Sequence, residues 1–227
     1  MFRPDSSLKP VAAWVWEVEC ALKVVRRADI RAKPRDWLEI RHVPRYGLRA
    51  LNWGEGMSQL IPAWIDNRLV AYDKLEVHLK GLRHKAVSVF VVAGDQLLIQ
   101  QRALVKYHTP GLWANTCCTH PEWGEAALDC AHRRLQQELG IAGLELVHKG
   151  QLEYRANVGG DMIEDEVVEV FLAETTLDLP ITPNPDEVMD YRWISLADLQ
   201  QKIEENQEMF TPWLRIYMAE HREQILG

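Results

Sequence analysis

Two pairs of side chains stand two positions apart in stretches that read as extended: Cys118 with His120, and Glu164 with Glu166. On a β-strand such pairs share a face. His78 and His84 come just ahead of the β-rich run at 86–93, so the chain offers three imidazoles and two carboxylates, enough for an octahedral site of nitrogen and oxygen donors. That set suits Mn²⁺, Mg²⁺ or Zn²⁺ better than a soft metal bound by thiolates. Each feature also has an ordinary reading. A lone histidine is commonly a surface or core residue, and a Glu-x-Glu pair is commonly a solvated strand edge.

A second constellation is cationic. Arg102 and Lys106 follow the first hairpin, Lys74 precedes His78 by four residues, and Arg134 lies four before Glu138. Four basic groups beside a metal-binding carboxylate would suit a diphosphate, with arginine gripping oxygens bidentately and Mg²⁺ bridging them to Glu138. The same i, i+4 spacing also describes a surface ion pair worth about 0.2–0.5 kcal/mol.

The elements that must position these groups read as α+β. AVSVFVVA at 86–93 is β-rich, Gly94-Asp95 is a turn, and QLLIQQ at 96–101 returns, predicting a hairpin. Residues 124–139 place Ala127, Leu128, Ala131, Leu135 and Leu139 at helical spacing and stop at Gly140. Further strands are expected over 147–154, 166–174 and 190–194. A helix capped by Ser195 follows over 195–203, and a last one covers 212–220. The whole reads as a mixed sheet with flanking helices around one core.

Composition narrows the function class. With 26 Lys+Arg against 33 Asp+Glu the net charge is -7, which argues against a phosphate-backbone binder and predicts no nucleic-acid partner. Val11 to Val25, the most apolar stretch, is broken by Glu17, Glu19 and Lys23 and is too short to span a membrane. Cys20, Cys117, Cys118 and Cys130 fit no zinc or redox spacing, and a bridge between neighbours would be strained, so free thiols and a cytoplasmic location are expected. Residues 1–56 hold 11 Lys+Arg against 7 Asp+Glu, net +4, leaving -11 for 57–227. Three readings stay open for this N-terminal extension: a docked or partly helical segment around 11–25, a targeting segment, or sequence upstream of a natural start at Met57. The chemistry is expected within 57–227, as a single catalytic domain.

The order of these pieces carries a resemblance. THPEWGEAALDCAHRRLQQELGI at 119–141 resembles a degenerate Nudix box, Gx5Ex7REUxEExGU. Glu125, Arg133, Leu135, Glu138, Gly140 and Ile141 match, whereas Thr119 replaces Gly and Arg134 and Gln137 each replace Glu. Loss of two carboxylates is similar to one branch of that superfamily, type I isopentenyl-diphosphate isomerase. The resemblance to that branch runs from Ile61 to about Glu220. It includes NTCCTHP at 115–121, QRALVK at 101–106, PGLW at 110–113, YRA at 154–156, EDEV at 164–167, DEVMDY at 186–191 and FTPW at 210–213. One departure is that five residues separate His78 from His84, one fewer than in enteric members.

What the resemblance implies is a Nudix-type fold and a 1,3-allylic rearrangement of isopentenyl diphosphate to dimethylallyl diphosphate in isoprenoid biosynthesis. Cys118 and Glu166 are then the acid–base pair, Tyr154 a proton relay with Glu166, and Trp213 an aromatic wall for a carbocation. His78, His84, His120, Glu164 and Glu166 hold one divalent cation. Mg²⁺ joins Glu138 to a diphosphate that also meets Lys74, Arg102, Lys106 and Arg134. The expected partner is a small isoprenyl diphosphate, with no membrane partner, and the expected state is a monomer or weak homodimer. Cys117 and Cys130 read as packing residues, and His42, His108, His132, His148 and His221 as non-ligands. Nucleotide-diphosphate hydrolysis is the rival within the superfamily, and it lacks the two carboxylates at 134 and 137. A noncatalytic binding module is the rival outside it.

Overall fold

The computed structural model describes residues 59–227, so the expected extension over 1–56, with its helix around 11–25, lies outside the described residues. The described elements run β1 (Leu60–Ile65), β2 (Arg68–Asp73), α1 (Lys74–Lys80), β3 (Arg83–Ala93), β4 (Gln96–Arg102), β5 (Trp113–Ala114), β6 (Cys117–Thr119) and α2 (Ala127–Leu139). They continue with β7 (Val147–Gly159), β8 (Met162–Glu174), β9 (Val188–Ser195), α3 (Leu196–Glu205), a 3₁₀ turn at Gln207–Met209, α4 (Pro212–Glu220) and α5 (Arg222–Leu226).

The expected hairpin, central helix, later strands and two late helices are all present. β1, β2, α1 and β5 are additions, and the stretch read as extended around Cys118 forms β6, which ends at Thr119, one residue before His120. Asp66 and Asn67 both take positive φ, 48° and 61°, the pair that a two-residue hairpin between β1 and β2 needs. The Asp73 carboxylate accepts from the Glu76 N–H at 2.9 Å and starts α1. Gly81, left-handed at φ 57°, ends α1, and β3 begins two residues later.

β3 organises the sheet. It pairs antiparallel with β1, β4 and β6, and parallel with β8 over Arg83↔Asp165 to Val92↔Glu174. β7 pairs antiparallel with β8, and β9 with β4. Helices cover both faces. Because successive strand residues alternate, Ala86 and Phe90 pack with Tyr154, Trp213, Leu214 and Tyr217 on one face. Val87, Val89 and Val91 pack with Cys117, Cys130, Ala131, Leu135 and Leu139 of α2 on the other. Burying each such aliphatic chain contributes about 1.5–3 kcal/mol. The register of α2 differs from expectation at Leu128, which is 42% exposed, while Cys130 and Glu138 are buried.

Candidate active site

The sheet register builds the reactive row. His84 of β3 lies opposite Glu166 of β8, and Glu166 lies opposite Tyr154 of β7, so three adjacent strands align these side chains. Ser88, four residues after His84 on the same face, lies opposite Cys118 of β6. Cys117 therefore points to the other face, where it is buried in the packing of α2.

At one end of the row the imidazoles converge. His84 Nε2 is 3.2 Å from His120 Nε2 and 3.5 Å from Glu166 Oε1, and His120 Nε2 is 2.9 Å from the same oxygen. The His78 ring lies 4.8 Å from that of His84 and 5.0 Å from that of His120. The short spacing between His78 and His84 is thus absorbed by the turn at Gly81. Backbone carbonyls select the inward nitrogens: His78 Nδ1 donates to Lys74 O at 2.6 Å and His84 Nδ1 to Leu82 O at 2.7 Å. His78 Nε2 is left buried without a partner. Burial, then His84, lowers His78 to about 4, and burial holds His120 well below its ordinary value, so both rings are neutral and competent to bind a cation.

The ligand atoms of His78, His84, His120 and Glu166 all lie within 4.8 Å of one another. Neighbouring donors around an ion with bonds of about 2.1 Å stand about 3 Å apart, so the donor set fits a first-row divalent cation. Glu164 is brought to the pocket but groups instead with His78 and His108. Here the structure departs from the sequence reading, which set His108 apart. His108 is 6% exposed, its ring stacks 5.5 Å from that of His78, and its Nε2 is 3.8 Å from Glu164 Oε1. It sits in the β4–β5 loop, where no strand or helix period could have flagged it. Of the other histidines expected to be non-ligands, His148 pairs with Glu169 at 2.7 Å on the surface, and His42 lies outside the described residues.

Tyr154 joins the carboxylates, its hydroxyl lying 2.8 Å from Glu164 Oε2 and 2.7 Å from Glu166 Oε2. One phenolic proton cannot serve both contacts, so a second proton is needed. Burial and the charge of Glu166 push Glu164 well above the ordinary carboxylate range, and it supplies that proton. Burial alone would also raise Glu166, but His120 and His84 reverse it, and its carboxyl titrates well below that range.

Facing this group, Cys118 Sγ is 2.8 Å from Asn115 Oδ1 and 3.1 Å from Ser88 Oγ. The Asn115 amide is oriented by Val89 O at 3.0 Å and Cys117 O at 3.3 Å, which take its N–H groups and leave Oδ1 to accept from the thiol. Burial raises the Cys118 thiol above its ordinary value, against the opposing pull of Ser88. Cys118 therefore rests as a thiol. Ser88 continues to Tyr217 OH at 2.9 Å, a connection missed in the sequence although Ser88 follows His84 at strand spacing.

The cationic end closes the pocket. Lys74, Arg102, Lys106 and Arg134 line one cavity together with Cys118, His120, Tyr154, Glu164, Glu166 and Trp213. Removal from water, then Lys106, Arg134 and Arg102, lowers Lys74 to about 8. Glu187 salt-bridges Lys106 and lies 3.2 Å from Arg134, holding both in place. Glu138 lies behind Arg134, which reaches its Oε1 at 2.6 Å, while Gln100 donates to Oε2 at 2.9 Å. Each oxygen keeps a second lone pair, so Mg²⁺ fits there only with substrate oxygens completing its shell. Trp213, 1% exposed, is held by the Thr211 N–H to Trp113 O bond at 2.9 Å, and the Arg102 guanidinium lies 5.3 Å from its ring. On α2, Arg133 clasps Glu125 at 2.6 and 2.7 Å, so that carboxylate is already neutralised.

Comparison with known proteins agrees with this scaffold. The NUDIX domain family model matches residues 82–214. An isopentenyl-diphosphate Delta-isomerase of Cereibacter sphaeroides (strain ATCC 17025) is 61% identical over 171 residues, covering 75% of this chain and 97% of that protein. One from Ruegeria pomeroyi is 59% identical over 171 residues, 75% of this chain and 95% of the relative. The crystal structure of DR0079 from Deinococcus radiodurans superposes with a TM-score of 0.57 at 14% identity, covering 74% of this chain and 99% of that one, a likeness of fold alone. With that identity running through nearly the full length of the named relatives, the chain belongs to the isopentenyl-diphosphate Delta-isomerase family of NUDIX-domain proteins.

Proposed function

We propose that the chain converts isopentenyl diphosphate to dimethylallyl diphosphate by protonation and deprotonation, with Cys118 and the Tyr154–Glu166 pair as the two proton-transfer groups. The carrying observation is that a thiol and a carboxylate–phenol pair open on one cavity whose other end holds four cations.

The diphosphate is gripped by Lys74, Arg102, Lys106 and Arg134, and the alkene lies toward the sheet. A proton from the Glu164–Tyr154–Glu166 group passes to the terminal methylene carbon, and the double-bond electrons form that C–H bond. The adjacent tertiary carbon becomes cationic, shielded from water and faced by Trp213. Cys118, as thiolate, takes a proton from the methylene between the cationic carbon and the carbon that carries the diphosphate oxygen, and that C–H pair becomes the new double bond. The roles exchange in reverse. Because Cys118 rests as a thiol and Glu166 as a carboxylate, the resting protonation matches the start of the reverse direction, and the thiol must lose its proton before a forward turnover. When bound, the cations supply fixed positive charge, one beside Glu164 and Glu166 and, as Mg²⁺, one on the diphosphate.

The free thiols at Cys117, Cys118 and Cys130 support a cytoplasmic enzyme, and the net negative charge supports one without a nucleic-acid partner. Among the described residues no helix is long and apolar enough to cross a membrane.

Proton NMR of isopentenyl diphosphate in D₂O with Mg²⁺ tests the reading. Deuterated dimethylallyl diphosphate should form with the wild type and not with Cys118→Ala. Phosphate release from a nucleotide panel without isomerisation would replace the reading by hydrolysis.

A further inference from the structure

We infer that Ser88 and Tyr217 are positioning residues for Cys118, a chain of hydroxyl donors that runs from Tyr217 through Ser88 to the sulfur and holds it toward the cavity. This rests on the reading of Cys118 as a proton-transfer group.

The direction of the chain follows from counting protons. Asn115, 0% exposed, gives its two N–H groups to Val89 O at 3.0 Å and Cys117 O at 3.3 Å. Turning the amide over would set its oxygen against two carbonyl oxygens, so Oδ1 faces Cys118 Sγ at 2.8 Å and can only accept. The one thiol proton is committed there. Ser88 Oγ, 3.1 Å from Sγ, therefore meets the sulfur as a donor. That contact uses the only Ser88 hydroxyl proton, so the Tyr217 hydroxyl, 2.9 Å away, donates to Ser88 Oγ. The reverse order would leave the Tyr217 proton buried without an acceptor, since Ser88 Oγ is its hydrogen-bond partner among the described residues.

The fold fixes both ends. The β3–β6 register sets Ser88 opposite Cys118. Tyr217 comes from α4, one turn after Trp213, so the two share a helix face. Its buried ring packs edge to face with Phe90 at 5.8 Å and with Tyr154 at 5.7 Å. Tyr154 belongs to the other proton-transfer group, and one buried ring thus braces both sides of the reaction.

The consequence is chemical. Cys118 and Tyr154 line the cavity, whereas Ser88, Asn115 and Tyr217 stand behind that lining and act through the sulfur. When charge collects on the sulfur during transfer, an O–H already aimed at it meets that charge without reorganisation.

Steady-state isomerisation by the full-length Ser88→Ala, Tyr217→Phe and double variants decides it. Ser88→Ala removes the donor and should lower kcat about 10–100-fold with KM within about twofold. Tyr217→Phe leaves the Ser88 hydroxyl unsteered and should lower kcat about 2–10-fold. Because Tyr217 acts through Ser88, the double variant should match Ser88→Ala instead of multiplying the two losses. Each single variant removes one oxygen, and if one fails to fold the kcat of the other still decides. A merely structural role would lower the melting temperature and leave kcat of the folded enzyme unchanged. That result, or losses that multiply, would overturn the chain and leave Cys118 its role. A wild type that forms no dimethylallyl diphosphate would remove the reading of Cys118, and this inference with it.

Discussion

The carboxylates of the sheet and those of helix α2 are answered in opposite ways. On α2, Glu125 is clasped by Arg133, and Glu138 by Arg134 with Gln100 behind it. On β8, Glu164 and Glu166 meet a phenol and neutral imidazoles. Guanidinium groups pair both helix acids and hold Glu125 below the ordinary carboxylate range, whereas the protein groups around the sheet acids share protons with them. A Nudix helix with its acids thus answered does not assemble a water-activating cluster. The same scaffold has its mobile protons on the strands instead.

The comparison can be broken from the sheet side first. Glu166→Gln keeps the shape and removes the proton acceptor, and turnover should fall by about 10²–10⁴-fold with circular dichroism unchanged. A variant that kept its rate would mean that the proton travels elsewhere. On the helix side Arg134→Gln should act mainly on binding: loss of a charge-assisted contact costs about 1.5–3 kcal/mol, or ~10–150-fold in KM, with kcat less affected. Steady-state kinetics of the two variants side by side separate a proton group from a gripping group.

A third test uses pH. Removal from water and its cationic neighbours lower Lys74 to about 8 in the free protein, and a bound diphosphate anion raises it again. Binding therefore takes up a proton above about pH 8, and KM should climb as pH rises through that value. Lys74→Arg stays charged throughout and should flatten the climb; a KM that rises equally in both would assign it to another group. The smallest effect is expected at Cys117. Cys117→Ala removes one buried sulfur from the packing of α2 and should cost about 1 kcal/mol in thermal or urea unfolding, with isomerase activity kept.

Much of this was legible because strand alternation and helical spacing are periodic. Cys118 with His120 and Glu164 with Glu166 could be placed on shared faces before any coordinates, and the stop at Gly140 and the cap at Ser195 stand where expected. What escaped lacks a period. β1 and β2 are held by a turn of two left-handed residues, and β5 has two residues, below the length at which alternation is visible. His108 reaches the pocket through a strained loop, and neighbours in space do not follow from neighbours in a loop. The protonation of Cys118 was equally hidden, since it depends on how deeply the fold buries the thiol.

The alternation that separates Cys117 from Cys118 also bears on oxidation. A peroxide that converts Cys118 to the sulfenic acid finds no resolving thiol next door, because Cys117 projects through the sheet into the packing of α2. Among the described cysteines Cys130 is likewise buried in the packing of α2, so of these none resolves it, and a dissolved thiol small enough to enter the cavity can. Failing that, the sulfur proceeds to the sulfinic acid, and the protein is retired with its fold intact.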